Sequence, residues 1–132
     1  MINAVTSQCG ADTTLVVAGY SQGAAVVHRA VENMPAATMA KIAGIVTFGD
    51  TQNQQDNGQV PNFPPAKTMV ICAPGDAVCR GTLTILPPHL SYGNRADDAS
   101  AFLTQMVQNA QGTNAVKGIA SRVVGGIKAA FN

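Results

Sequence analysis

Short β-branched runs alternate along the chain with stripes of helical period, and this alternation predicts most of the elements. Residues 13–18, Thr-Thr-Leu-Val-Val-Ala, are long enough for a buried strand and too short for a helix. Gly19 to Gly23 interrupts the run. From Gln22 onward Ala24, Ala25, Val27, His28, Ala30 and Val31 recur at helical spacing until Pro35 ends the pattern, and residues 36–43 add a turn or two of helix. Residues 44–48 read as a second strand stopped by Gly49-Asp50, and residues 68–72 as a third, ended by Pro74-Gly75. Between them, residues 51–66 carry Gln, Asn, Gly and three prolines with almost no apolar content, which predicts loop. A helix over 98–111 follows, with Phe102, Leu103, Met106, Val107 and Ala110 on one stripe, Asp97 or Asp98 as its cap and Gly112 beyond its end.

Continuous apolar strands with intervening helices predict a three-layer α/β sandwich around a small parallel sheet covered on both faces. Residues 1–112 form the predicted domain and 113–132 an amphipathic tail. In the tail Val116, Ile119, Ala120, Val123, Val124, Ile127 and Phe131 share a face, while Gly118, Gly125 and Gly126 weaken the helix by about 1 kcal/mol each. Its expected role is packing.

With 132 residues, 46% apolar and 11% charged, the chain is one domain with a real core and not a disordered segment. Eight basic and seven acidic side chains give +1 with no runs, so a phosphate-reading surface is not expected. The longest apolar run is far below the ~20 residues that cross a bilayer, and no basic start or apolar segment of a signal peptide is visible. Cys72 and Cys79 lie seven apart. They can close a small loop in an oxidising compartment, which leaves Cys9 as a free thiol, an interchain bridge or a group paired with sequence not present.

Gly19-Tyr20-Ser21-Gln22-Gly23 follows a strand and opens a helix, the context of a G-x-S-x-G nucleophile elbow. The turn is so tight that Cβ atoms at the flanking positions are expected to collide, and Ser21 is pushed out where a helix N-terminus favours developing negative charge. A serine hydroxyl needs a base, and the base an orienting acid. His28 lies within the elbow helix and reads as a surface or packing residue. His89 lies in a loop that can reach the end of the sheet and is the candidate base. Asp76, just past the third strand and bracketed by the two cysteines, is the candidate acid, with Asp50 as fallback. Cys72, Cys79 and His89 are poorly spaced for zinc, and no metal or cofactor is expected.

Three ordered segments carry a resemblance: Gly-Tyr-Ser-Gln-Gly at 19–23, Gly-Asp-Ala-Val-Cys at 75–79 and Pro-His-Leu-Ser-Tyr-Gly at 88–93, with 55 residues from Ser21 to Asp76 and 13 from Asp76 to His89. From residue 9 to about 108 the chain resembles the cutinases, small secreted α/β-hydrolases that cleave esters of cutin and short-chain lipids. The resemblance implies Ser21 as nucleophile, His89 as general base, Asp76 as orienting acid, the Gln22 amide as an oxyanion donor, a Cys72–Cys79 disulfide and an extracellular location. It also implies that the family's N-terminal strands, a second oxyanion donor and the partner of Cys9 belong to a portion preceding Cys9. Without that portion, strand 13–18 is expected to be an open edge prone to self-association, and activity to be reduced. Leu83, Ile85, Leu86 and Leu90 are candidates for an apolar rim around His89, or for core. The alternatives are a non-catalytic remnant that binds lipid or a partner, and an acetylxylan-type carbohydrate esterase.

Overall fold

The computed structural model describes residues 8–9 and 13–111; the predicted tail at 113–132 lies outside the described residues. Three strands, β1 (Leu15–Tyr20), β2 (Ile42–Phe48) and β3 (Thr68–Ile71), form one parallel sheet in the order β1-β2-β3. Helices α1 (Gln22–Glu32) and α2 (Ala36–Met39) connect β1 to β2, and α3 (Ala96–Gln111) closes the described fold. Short 3-10 turns at Pro65–Lys67, Ala77–Arg80, Pro87–Leu90 and Tyr92–Arg95 fill the segments flanking β3.

All seven residues of β2 are buried, as a central strand sandwiched between two helical layers requires. On one face Val46, Phe48 and Ile71 pack with Tyr92, Ala96, Ala99 and Leu103; on the other Ile42 and Ile45 pack with Val27 and Val31 of α1. The three-layer expectation is therefore met. Tyr20 pairs with Phe48 and Phe48 with Ile71, so the strands end in register. Their carboxyl ends release Ser21, Gly49 and Cys72 along one edge, where open α/β sheets bind ligands.

Several boundaries differ from the sequence expectation. β1 starts two residues later than predicted and runs on through Gly19 and Tyr20, because both continue the ladder with Thr47 and Phe48. β2 begins at Ile42, which ends α2 at Met39. α3 begins at Ala96, fed directly by the Tyr92–Arg95 turn, so Asp97 and Asp98 lie in its first turn rather than at its cap. The loop over 51–66 is irregular as predicted but not apolar-free in effect, since Val60 and Phe63 are buried against Val27, Val31, Ile42 and Ile45. Two isolated apolar residues in polar sequence carry no period, and only the loop's wrap over α1 gives them a place in the core.

Candidate active site

Ser21 joins β1 to α1 with φ 58° and ψ −120°, a left-handed backbone rare for a residue with a Cβ. Its N–H donates to the Phe48 carbonyl at 2.9 Å, which fixes the turn to the end of β2. The tightness of the turn shows at Gly19, where a Cβ would come within 2.7 Å of the Gly23 carbonyl oxygen and 2.8 Å of the Ala24 backbone. The matching expectation for Gly23 fails: a Cβ there meets nothing within 4 Å. The close approach therefore constrains Gly19 alone, and Gly23 lines the cleft. Ser21 stands at the N-cap of α1 without a capping side-chain bond, so its hydroxyl is available for another partner.

That partner is His89. Its Nε2 lies 3.0 Å from Ser21 Oγ, and its Nδ1 lies 2.8 Å from Asp76 Oδ2. An ionised carboxylate only accepts, so Nδ1 donates to Asp76 and Nε2 presents its lone pair to the hydroxyl. Asp76 follows β3 and caps the 3-10 turn Ala77–Arg80, accepting the Val78 N–H on Oδ1 at 3.0 Å. Cys72 and Cys79 form a disulfide (S–S 2.22 Å) around this loop. Their sulfurs are bonded to each other, and the zinc alternative has no thiolates left. Cys9 is exposed and makes no disulfide.

Two tyrosines complete the setting. Tyr92, fully buried, donates its hydroxyl to Asp76 Oδ2 at 2.5 Å and accepts the Ala73 N–H at 2.9 Å. Tyr20 donates to the His89 main-chain carbonyl at 2.8 Å, and its ring stacks on the imidazole with centroids 5.1 Å apart and planes 23° apart. Burial alone would raise the Asp76 pKa; hydrogen bonds from Tyr92, His89 and the Val78 amide outweigh it and hold the carboxyl below the usual range. Burial, the Asp76 hydrogen bond and the Asp76 charge push the Tyr92 phenol far above its ordinary value, so it stays a donor. Gly49 lies against the imidazole with φ +54°, where a Cβ would reach 2.7 Å from His89 Cε1.

A cleft of about 370 Å³ opens over the elbow, lined by Tyr20, Ser21, Gln22, Gly23, Thr51, Val78, Leu83 and Ile85. As the first residue of α1, Gln22 has an N–H with no intrahelical acceptor. Leu83, Ile85, Leu86 and Leu90 are exposed, Leu83 by 76% and Leu90 by 72%, which sets aside the core reading, and of the four Leu83 and Ile85 line the cleft.

A family model described as Cutinase matches residues 1–107. The chain belongs to the cutinase family. It is 53% identical over 107 residues to Cutinase CUT2 of Pyricularia oryzae, covering 81% of this chain and 50% of that protein. With Cutinase 2 of Fusarium vanettenii it shares 48% over 103 residues, 77% of this chain and 45% of the relative. A solved Trichoderma reesei cutinase, in complex with a C11Y4 phosphonate inhibitor, superposes with a TM-score of 0.73 at 48% identity, over 80% of this chain and 47% of that one. The chain thus spans about half the length of the curated relatives it matches.

In this cutinase chain the structure brings Ser21, Asp76 and His89 together and leaves the fallback acid elsewhere: Asp50 binds His28, not His89. Of the surface and packing readings of His28 the structure selects packing, since it has 0% exposure and engages Asp50 and Asp56 at 2.6 Å each. Tyr20 and Tyr92 were not singled out from the sequence. Their signal is positional: one precedes the elbow serine, the other lies three residues past His89, on consecutive 3-10 turns.

Proposed function

We propose that this chain carries the acyl-transfer centre of a secreted serine esterase that cleaves carboxylic esters of cutin-type polyesters or short-chain lipids. One observation carries the reading: the unbroken hydrogen-bonded line from Ser21 Oγ through both nitrogens of His89 to the buried Asp76 carboxylate. In this reading Ser21 Oγ attacks the ester carbonyl carbon and His89 Nε2 takes the hydroxyl proton. Asp76, held by Tyr92, keeps the imidazole in the tautomer that accepts at Nε2 and stabilises the imidazolium that forms. The oxyanion of the tetrahedral intermediate meets the Gln22 N–H at the start of α1. His89 then protonates the leaving alcohol. Water, deprotonated by the same nitrogen, cleaves the acyl-serine and releases the acid.

The solved relative's phosphonate ligand supports this reading, because a tetrahedral phosphorus resembles such an intermediate. The exposed Leu83 and Ile85 at the cleft suit an acyl or polyester chain. Treatment of the 132-residue chain with a fluorophosphonate should add one label at Ser21, and Ser21→Ala should abolish both labelling and hydrolysis of p-nitrophenyl butyrate. A label that persists in Ser21→Ala overturns the assignment. Among the described residues this scheme assigns one oxyanion donor, the Gln22 N–H. The chain's turnover should therefore lie about 10²–10³-fold below that of a relative with two; turnover within a few-fold refutes that expectation.

A further inference from the structure

A second histidine–carboxylate cluster lies outside the triad. His28 is fully buried on α1, and both its ring nitrogens face carboxylates: Nε2 to Asp50 Oδ2 and Nδ1 to Asp56 Oδ2, each at 2.6 Å. Because ionised carboxylates only accept, this arrangement holds a doubly protonated, positively charged ring. Asp50, also fully buried, accepts further bonds from the Thr47 hydroxyl and from the Gln52 N–H, each at 2.8 Å. Arg29 pairs with Asp56, and Glu32 with Arg29 at 3.3 Å, which completes the charged groups facing the ring from α1 and from the loop after β2.

The two sides of this cluster are the two sides of the proposed active site. His28 lies on α1, the helix that Ser21 caps, seven residues beyond it. Asp50 is flanked by Gly49, whose backbone backs the His89 imidazole, and by Thr51, whose hydroxyl approaches the Ser21 carbonyl at 3.5 Å and lines the cleft.

We propose that His28 is a positioning residue: with Asp50 and Asp56 it forms an ionic latch that clamps the loop after β2 onto α1 and so sets His89 against Ser21. The inference rests on the esterase reading above and adds a residue that touches neither substrate nor triad. Loss of the His28 proton would turn one ring nitrogen into an acceptor facing a carboxylate, and the latch would open. Burial opposes the charge, but the hydrogen bonds and charges of Asp50 and Asp56 outweigh it and raise the His28 pKa. The clamp therefore holds beyond the pH at which an ordinary histidine loses its proton and is released as pH climbs through the raised value.

The test uses the 132-residue chain. His28→Gln should lower kcat for p-nitrophenyl butyrate 10- to 100-fold with KM changed less than about threefold. The wild type should show an alkaline loss of kcat that is absent or displaced in His28→Gln. A folded variant, judged by cooperative urea unfolding, with kcat within twofold of wild type and an unchanged pH profile overturns the proposal. Should the variant fail to fold, hydrogen exchange of wild-type amides 49–58, corrected for intrinsic rates, decides. Protection should be lower at pH 10 than at pH 6, and constant protection overturns the latch. Absence of fluorophosphonate labelling in the wild type would instead sink the esterase reading, and the latch would still be judged by exchange.

Discussion

Tyr92 ties together Asp76 and His89 at the scale of a single residue. Its hydroxyl donates to the oxygen of Asp76 that also accepts from His89, and accepts the Ala73 N–H in turn. Tyr92→Phe keeps the ring against Phe48 and His89 but removes the donor and leaves the Ala73 amide without that acceptor. A hydrogen bond to a charged group contributes about 1.5–3 kcal/mol, so urea denaturation at pH 7 should show a loss of that order. The sign with pH follows from Asp76. Its pKa is lowered in the folded state, so the stability it contributes is present above the unfolded value near 4 and disappears as pH falls through the folded one. The gap between wild type and Tyr92→Phe should therefore close in acid, and a gap constant from pH 7 to pH 2 would contradict the role given to the bond. Much at this scale was legible beforehand. Ser21, Asp76 and His89 announce themselves through chain order and through the glycines, strand ends and cysteines around them. Tyr92 does not, because a phenol's partner is chosen by tertiary approach, and the same letter three residues earlier or later would read alike. For His28 the sequence leaves surface and packing both open for a related reason: a histidine beside an arginine on a helix looks solvated until a polar loop folds over it.

That polar loop is the lesson at the scale of elements. Strands and helices were legible because each repeats an apolar spacing several times. Residues 51–66 repeat nothing, yet they bury Val60 and Phe63 and supply Asp56 to the latch. Phe63→Ala should cost about 3–5 kcal/mol, as truncation of a buried aromatic does. Against a total of about 5–15 kcal/mol for ordinary domains, that is enough to lower the urea midpoint severely; a shift worth less than about 1 kcal/mol would mean the loop only rests on α1. The latch adds a pH signature of its own. Asp50 is pushed up by burial but held low by His28, the Gln52 amide and Thr47, so its contribution is lost as pH falls below about 4. His28 is raised, so its contribution is complete below about pH 6.5 and fades as pH climbs through its folded value. The contribution of the latch to stability should peak between those limits. Urea midpoints of wild type minus those of His28→Gln, measured from pH 3 to pH 10, should trace that dome, and a flat difference would contradict it.

At the scale of the whole molecule, the sheet and its helices bring Ser21, Asp76 and His89 together at one end but leave a flank with little cover. Among the described residues β1 pairs with β2 alone, and Ala18 in its middle is exposed. A β-branched strand with one row of N–H and C=O groups turned outward is a template for another strand. The family resemblance implies that further strands occupy this flank in cutinases, and the present chain spans about half the length of its relatives. The 132-residue chain on its own should therefore associate through β1. A charge in the centre of such an edge opposes pairing while leaving the β1–β2 ladder intact, so Ala18→Lys discriminates edge pairing from contact through the exposed Leu83, Ile85 and Leu90. Size exclusion at tens of micromolar should show wild type eluting as oligomer and Ala18→Lys shifting toward monomer. Oligomers indifferent to Ala18→Lys but dispersed by Leu83→Ser and Leu90→Ser would move the contact to the rim of the cleft. A wild type that elutes as a stable monomer would mean that the flank is already covered within the chain.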